Sequence, residues 1–165
     1  MEQKGWSIKN TDRGLRRLVP SPKPKRVVEL EIIRSLFENR VLVVTAGGGG
    51  TPVIATERGY EGVEGVIDKD SVASLIACEL NATHLIIATD VENVWVGKEK
   101  TPLGKITKDE IKKYYEEEEF PEGSMGPKVE AGIKFLENGG EVVIITSTEK
   151  ISLALEGKAG TFITN

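Results

Sequence analysis

Histidine and cysteine are almost absent from this 165-residue chain, which holds one of each, His84 and Cys78. A single cysteine excludes an internal disulfide and fits a reducing compartment. The pair cannot build a Cys/His zinc site. Both residues also sit beside apolar positions, which argues against Ser-His or Cys-His nucleophilic catalysis and for ordinary core or near-core roles. Long apolar runs are missing as well. No stretch approaches the roughly 20 apolar residues that cross a bilayer, and the start Met1-Glu2-Gln3-Lys4-Gly5-Trp6 lacks the apolar core of a signal peptide. A soluble cytoplasmic protein with no membrane partner is the expectation. Nor is there an excess of basic charge: the net charge is −4, which gives no general field for nucleic acid. The local cluster Arg13, Arg16, Arg17, Lys23, Lys25 and Arg26 has no aromatic platform interleaved with it. It reads as a solvated, partly irregular segment and not as a nucleic-acid surface.

Glycine, by contrast, is concentrated. Gly47, Gly48, Gly49 and Gly50 follow the apolar run Val41-Leu42-Val43-Val44 directly and precede Thr51-Pro52. A loop without side chains at the end of a buried strand lets a charged ligand approach the backbone, and successive N–H groups can converge on anionic oxygens. The loop is not a P-loop, because no Gly-Lys-Ser/Thr follows, and Pro52 stands where a dinucleotide fingerprint needs its third glycine. A bare strand-to-strand turn is the alternative. Four glycines cost much chain entropy, which favours the cradle.

The length suits one ordinary domain with a real core. Residues 1–25 show no period and end in Pro20-Ser21-Pro22-Lys23-Pro24, so they are expected to form an irregular entry to a domain spanning 26–165. Val28, Ile32, Ile33 and Leu36 then recur at helical spacing before a buried strand predicted at 41–45. A helix from Asp70 leads into a strand at 85–88 that ends in Thr89-Asp90. Thr107 and Glu110 have capping-box spacing and predict a helix start ahead of the acidic run Glu116 to Glu119. A helix over 129–136 closes at Gly139-Gly140, followed by a strand at 142–145, a short helix over 147–155 and a strand at 161–163. Continuous apolar strands alternating with amphipathic helices indicate an α/β fold with a mostly parallel open sheet, which collects ligands at the carboxyl ends of its strands.

Two lysines stand out at helix starts. In Asp68-Lys69-Asp70, Asp70 fits an N-cap, but a lysine where the helix dipole disfavours cations suggests an anionic ligand or a flanking carboxylate. In Gly123-Ser124-Met125-Gly126-Pro127-Lys128, flexible residues precede a proline suited to a first helical turn, with Lys128 beside it. A solvated lysine is the plain reading of either site. Two of them at one edge of a ligand-binding sheet suggest convergence on phosphate.

These segments, with Thr89-Asp90-Val91, Leu155-Glu156-Gly157-Lys158-Ala159-Gly160-Thr161 and Arg16-Arg17-Leu18-Val19-Pro20-Ser21-Pro22, resemble carbamate kinases in the same order. The resemblance spans nearly the whole chain. It implies the three-layer α/β/α sandwich of the amino acid kinase superfamily, ATP or ADP as substrate, magnesium, and exchange of ATP plus carbamate with ADP plus carbamoyl phosphate. It implies further that Lys69 and Lys128 neutralise the transferring phosphoryl group, with Asp70 orienting lysine. Gly47, Gly48, Gly49 and Gly50 would lie beside carbamate and the phosphates. Thr89, Asp90, Val91, Met125, Gly126, Pro127 and Lys128 would border the nucleotide. Phosphoryl transfer needs mainly positioning and fixed positive charge, so it requires no acid–base histidine.

One departure matters. The family's opening apolar strand with its glycine-rich phosphate loop, and its His-Gly-Asn-Gly-Pro type segment, are both absent, so the chain resembles a C-terminal half. Exposed apolar surface or sheet edge is then expected, and with it a homo-oligomer such as a dimer, or pairing with a separate N-terminal half. A catalytically incomplete nucleotide-binding or assembly module is the alternative reading.

Overall fold

Three of the apolar runs read from the sequence, at 85–88, 142–145 and 161–163, fall on adjoining strands of one sheet. The computed structural model describes residues 6–11, 14–121 and 124–165. Its elements begin with the hairpin β1 (Ile8–Thr11) and β2 (Gly14–Arg17), then α1 (Leu30–Glu38) and a second hairpin, β3 (Val53–Thr56) and β4 (Gly59–Gly62). Next come α2 (Lys69–Glu79), β5 (His84–Thr89), the short ribbon β6 (Trp95–Val96) and β7 (Thr101–Pro102), β8 (Lys105–Thr107) and α3 (Lys108–Glu116). The chain continues through α4 (Met125–Glu137), β9 (Val142–Ser147), α5 (Ile151–Leu155) and β10 (Thr161–Thr164).

The main sheet runs β5-β9-β10-β8. β5 and β9 are parallel from His84↔Val142 to Thr89↔Ser147, β10 and β8 are parallel, and β10 lies antiparallel to β9. Two of these three pairings are parallel, as expected, with one antiparallel ladder in their midst. Phe135, Ile111, Ile145, Ile163, Val129 and Val143 are completely enclosed and form the core between sheet and helices. α4 meets the sheet on one side and α2 and α3 on others, which explains why eight of its thirteen residues are buried. Gly132 lets α4 lie close on β9, since a Cβ there would stand 3.0 Å from Val143 Cγ1. α3 opens with the capping box anticipated from Thr107 and Glu110: each backbone N–H is answered by the other's side chain.

Three expectations are corrected in the fold. Residues 41–45 form no ladder with any described strand, and Leu42 and Val44 are 93% and 95% exposed. An apolar run is buried as a strand only when neighbours cover it on both sides; here Val43 alone packs inward, against Ile33, Ile67, Val72 and Ile76, and no described strand pairs with the run. The entry segment is not wholly irregular, because β1 and β2 pair within it. Its described basic residues are exposed, as expected of a solvated segment, and two of them also have partners: Arg17 stacks over Trp6 at 4.5 Å from the ring centroid and pairs with Glu64, while Lys23 pairs with Glu130 of α4. Burial alone would push the Glu130 carboxyl up, but hydrogen bonds from Lys134 and Lys23 outweigh it and hold it below the usual glutamate range. Arg13 lies outside the described residues. His84 is exposed at the start of β5, with Nδ1 2.9 Å from Thr83 Oγ1, and not in the core. Cys78 is half-buried, and burial pushes its thiol pKa up, away from thiolate chemistry. Among the described residues no helix is long and apolar enough to cross a membrane.

Candidate active site

The start of α2 is set by Asp68, the fourth correction. Asp68 has an extended backbone (φ −69°, ψ 126°) and accepts a 2.8 Å hydrogen bond from Ser71 N–H, so it is the N-cap that the sequence reading gave to Asp70. Asp70 is thereby left for another partner. Its buried carboxylate accepts a 3.0 Å hydrogen bond from Lys128 Nζ, with Lys69 Nζ 3.7 Å from the same oxygen. The Lys128 and Asp70 side chains are 11% and 10% exposed, whereas that of Lys69 is 58% exposed. One carboxylate therefore serves two ammonium groups and leaves the trio with an excess positive charge.

Packing of α2 on α4 brings these residues together across 58 positions of sequence. One turn farther along, Ser74 Oγ donates to Ala131 O at 2.8 Å and ties the two helices again. The glycine loop rests on the same helix start. Gly49 has φ +123°, and a Cβ there would lie 2.2 Å from Ile67 O and 3.4 Å from Lys69 N. Gly47 N–H and Gly49 N–H are already bonded to Thr45 O and Ala46 O, each at 2.8 Å. The N–H groups of Gly48 and Gly50 are therefore the loop's available donors among the described residues.

A cavity of about 940 Å³ opens at the carboxyl end of β5. Thr89, Asp90 and Val91 border it, with Met125 and Lys128 from α4, as do Arg16, Trp95, Lys100 and Glu119. Gly126 and Pro127 do not line it. Gly126 N–H instead donates to Pro121 O at 3.2 Å, which fixes the turn into α4. Gly123 lies outside the described residues. A second cavity, also about 940 Å³, is bordered by Gly49, Gly50, Thr45, Ala46 and Arg26. Gly47, Gly48 and Lys69 border neither cavity. No motif in the sequence marks Trp95, Lys100 or Glu119 as site residues, and Arg16 sits there among the solvated basic cluster. Their signal was weak, because 91–104 carries no period and Arg16 reaches the cavity only through the β1–β2 hairpin.

Backbone donors, two lysines and a cavity at the carboxyl edge of an α/β sheet are an arrangement suited to phosphorylated ligands. The model of the amino acid kinase family matches residues 1–147. The chain belongs to the amino acid kinase family. Within that family it is similar to the carbamate kinase of Pyrococcus horikoshii, 49% identical over 167 residues, which cover 99% of this chain and 53% of that protein. The carbamate kinase of Pyrococcus furiosus is 50% identical, with 96% and 52% covered. Among solved structures, a carbamate kinase from Giardia lamblia bound to AMP-PNP superposes with TM-score 0.89 at 40% identity, covering 99% of this chain and 53% of that one. This family member thus spans about half the length of the relatives it matches, and the α/β/α fold class expected from the sequence stands.

Proposed function

We propose that the chain is the nucleotide- and phosphoryl-binding half of a carbamate kinase-type phosphotransferase, interconverting ATP plus carbamate with ADP plus carbamoyl phosphate. The observation that carries this reading is Asp70 held between Lys128 and Lys69, beside the glycine loop. A transferring phosphoryl group disperses negative charge over its equatorial oxygens, and stabilisation comes from cations fixed before the reaction begins. Lys128, buried and pinned, is such a cation; Lys69, exposed and only loosely paired, follows the group as it moves. Asp70 keeps both ammonium groups from swinging away. Gly48 and Gly50 N–H would hold the acceptor end, and the cavity at Thr89, Asp90, Val91 and Met125 would take the nucleotide.

Magnesium is implied by the resemblance. Among the described residues no cluster of three carboxylate, histidine or cysteine side chains could hold it, and Asp70 is already engaged by two lysines. The ion would travel on the nucleotide's phosphates, as this tightly hydrated cation ordinarily does. The chain's own contribution is lysine charge.

The exposed run 41–45 beside the glycine loop supports a second polypeptide covering this face, either another copy or a separate N-terminal half. Size-exclusion chromatography with light scattering is expected to show self-association, or a heteromer once such a half is added. A clean monomer under both conditions counts against it. The functional test is ATP formation from ADP and carbamoyl phosphate by that assembly. Lys69→Ala and Lys128→Ala are each expected to lower turnover about 10²–10³-fold, the usual loss for one transition-state donor. Turnover indifferent to both lysines would refute the assignment. ADP binding without turnover in any assembly would establish the alternative of a nucleotide-binding module, which the open face beside the loop favours for the isolated chain.

A further inference from the structure

The ribbon β6–β7 carries Trp95, and the bend beyond it carries Gly97 and Lys100; all three stand on the wall of the cavity. Two residue pairs, Trp95↔Pro102 and Val96↔Thr101, are too few to hold a ribbon in place. Its base is held from beneath by β10. Thr161, completely buried, accepts a 2.9 Å hydrogen bond from Val94 N–H at its Oγ1 and donates from the same hydroxyl to Leu103 O at 2.5 Å. Leu103 N–H in turn donates to Val94 O at 2.8 Å, and Asn93 Nδ2 donates to Leu103 O at 2.9 Å. At the ribbon's far end Gly97 N–H donates to Glu119 Oε2 at 2.9 Å. One hydroxyl therefore joins both legs of the ribbon to the sheet, and Val94, also completely buried, has it as the acceptor for its N–H.

We propose that Thr161 is a positioning residue for the nucleotide site: its hydroxyl clamps both ends of segment 94–103 and so fixes where Trp95 and Lys100 face the nucleotide. This rests on the reading that the cavity takes an adenine nucleotide. Valine matches threonine in shape but offers neither donor nor acceptor, so it strands Val94 N–H and frees the base of the ribbon. Serine keeps both functions.

The test is ADP affinity by calorimetry together with amide exchange at Val94 by NMR, for wild type, Thr161→Val and Thr161→Ser. Thr161→Val is expected to weaken ADP binding about tenfold and to speed exchange at Val94, as stranding a buried donor should. Thr161→Ser should stay within about twofold on affinity and retain protection. Should Thr161→Val fail to fold, Asn93→Ala, which removes one bond from Leu103, is expected to weaken ADP about threefold; an unchanged affinity there overturns the clamp. Thr161→Val matching Thr161→Ser in both affinity and exchange overturns it too. A wild-type chain that binds no ADP overturns the nucleotide reading instead, and exchange at Val94 then judges the clamp alone.

Discussion

Asp70→Ala is expected to destabilise the chain by about 3–5 kcal/mol, a large part of the roughly 5–15 kcal/mol that keeps an ordinary domain folded. The reason lies in what remains behind. Lys128, only 11% exposed, would lose its 3.0 Å partner, and an unpaired buried ammonium is far costlier than the pair is stabilising. Asp70→Asn retains an acceptor oxygen and should cost less. Asp70→Ala with Lys128→Met should recover most of the loss, because an apolar side chain tolerates the site that a lone charge does not. Denaturant unfolding of the three variants measures this directly. A loss below about 1 kcal/mol for Asp70→Ala would place the pair among solvent-screened surface contacts and refute the pinned-lysine argument.

Gly49→Ala carries the second large effect, about 2–5 kcal/mol in unfolding free energy, joined by loss of phosphate-ligand binding. The added methyl would stand 2.2 Å from Ile67 O, a backbone atom, and φ +123° is a conformation that residues with a Cβ rarely adopt. Relief requires the loop to lift from the start of α2, carrying the Gly48 and Gly50 donors away from Lys69. Gly48→Ala is the control: a Cβ there meets nothing within 4 Å, so its stability should change by no more than about 0.5 kcal/mol. Equal losses at the two positions would show that the loop does not rest on Ile67.

The contrast between these two glycines also shows how far the sequence could be read. Four identical residues signal a loop that approaches something closely; which one makes the approach depends on a partner carbonyl 18 positions away. The strands at 84–89 and 142–147 were legible because both are short, apolar and bounded by turn residues, and the α3 cap because its hydrogen bonds are local. Val41 to Thr45 has the same apolar character yet remains unpaired, since composition reports what a segment can do and not whether a neighbour exists. The four-residue hairpin strands are too short to show a period. Asp68 and Asp70 both suit a helix start, and only the bond to Ser71 N–H decides which one caps. Lys69 and Lys128 were each visible at a helix start, but their shared carboxylate arises from α2–α4 packing. Trp95 and Arg16 belong to the cavity through the ribbon and a hairpin, elements that local pattern does not register.

The chain has two tryptophans, one, Trp95, on the cavity wall and the other, Trp6, lying under the Arg17 guanidinium in the entry hairpin region. Emission from Trp95 is expected to change when a ligand enters the cavity, and Trp6→Phe removes the second emitter, which stacks on Arg17 next to the cavity-lining Arg16. Ligand entry should then be readable in a cuvette from the protein's own light, without a label.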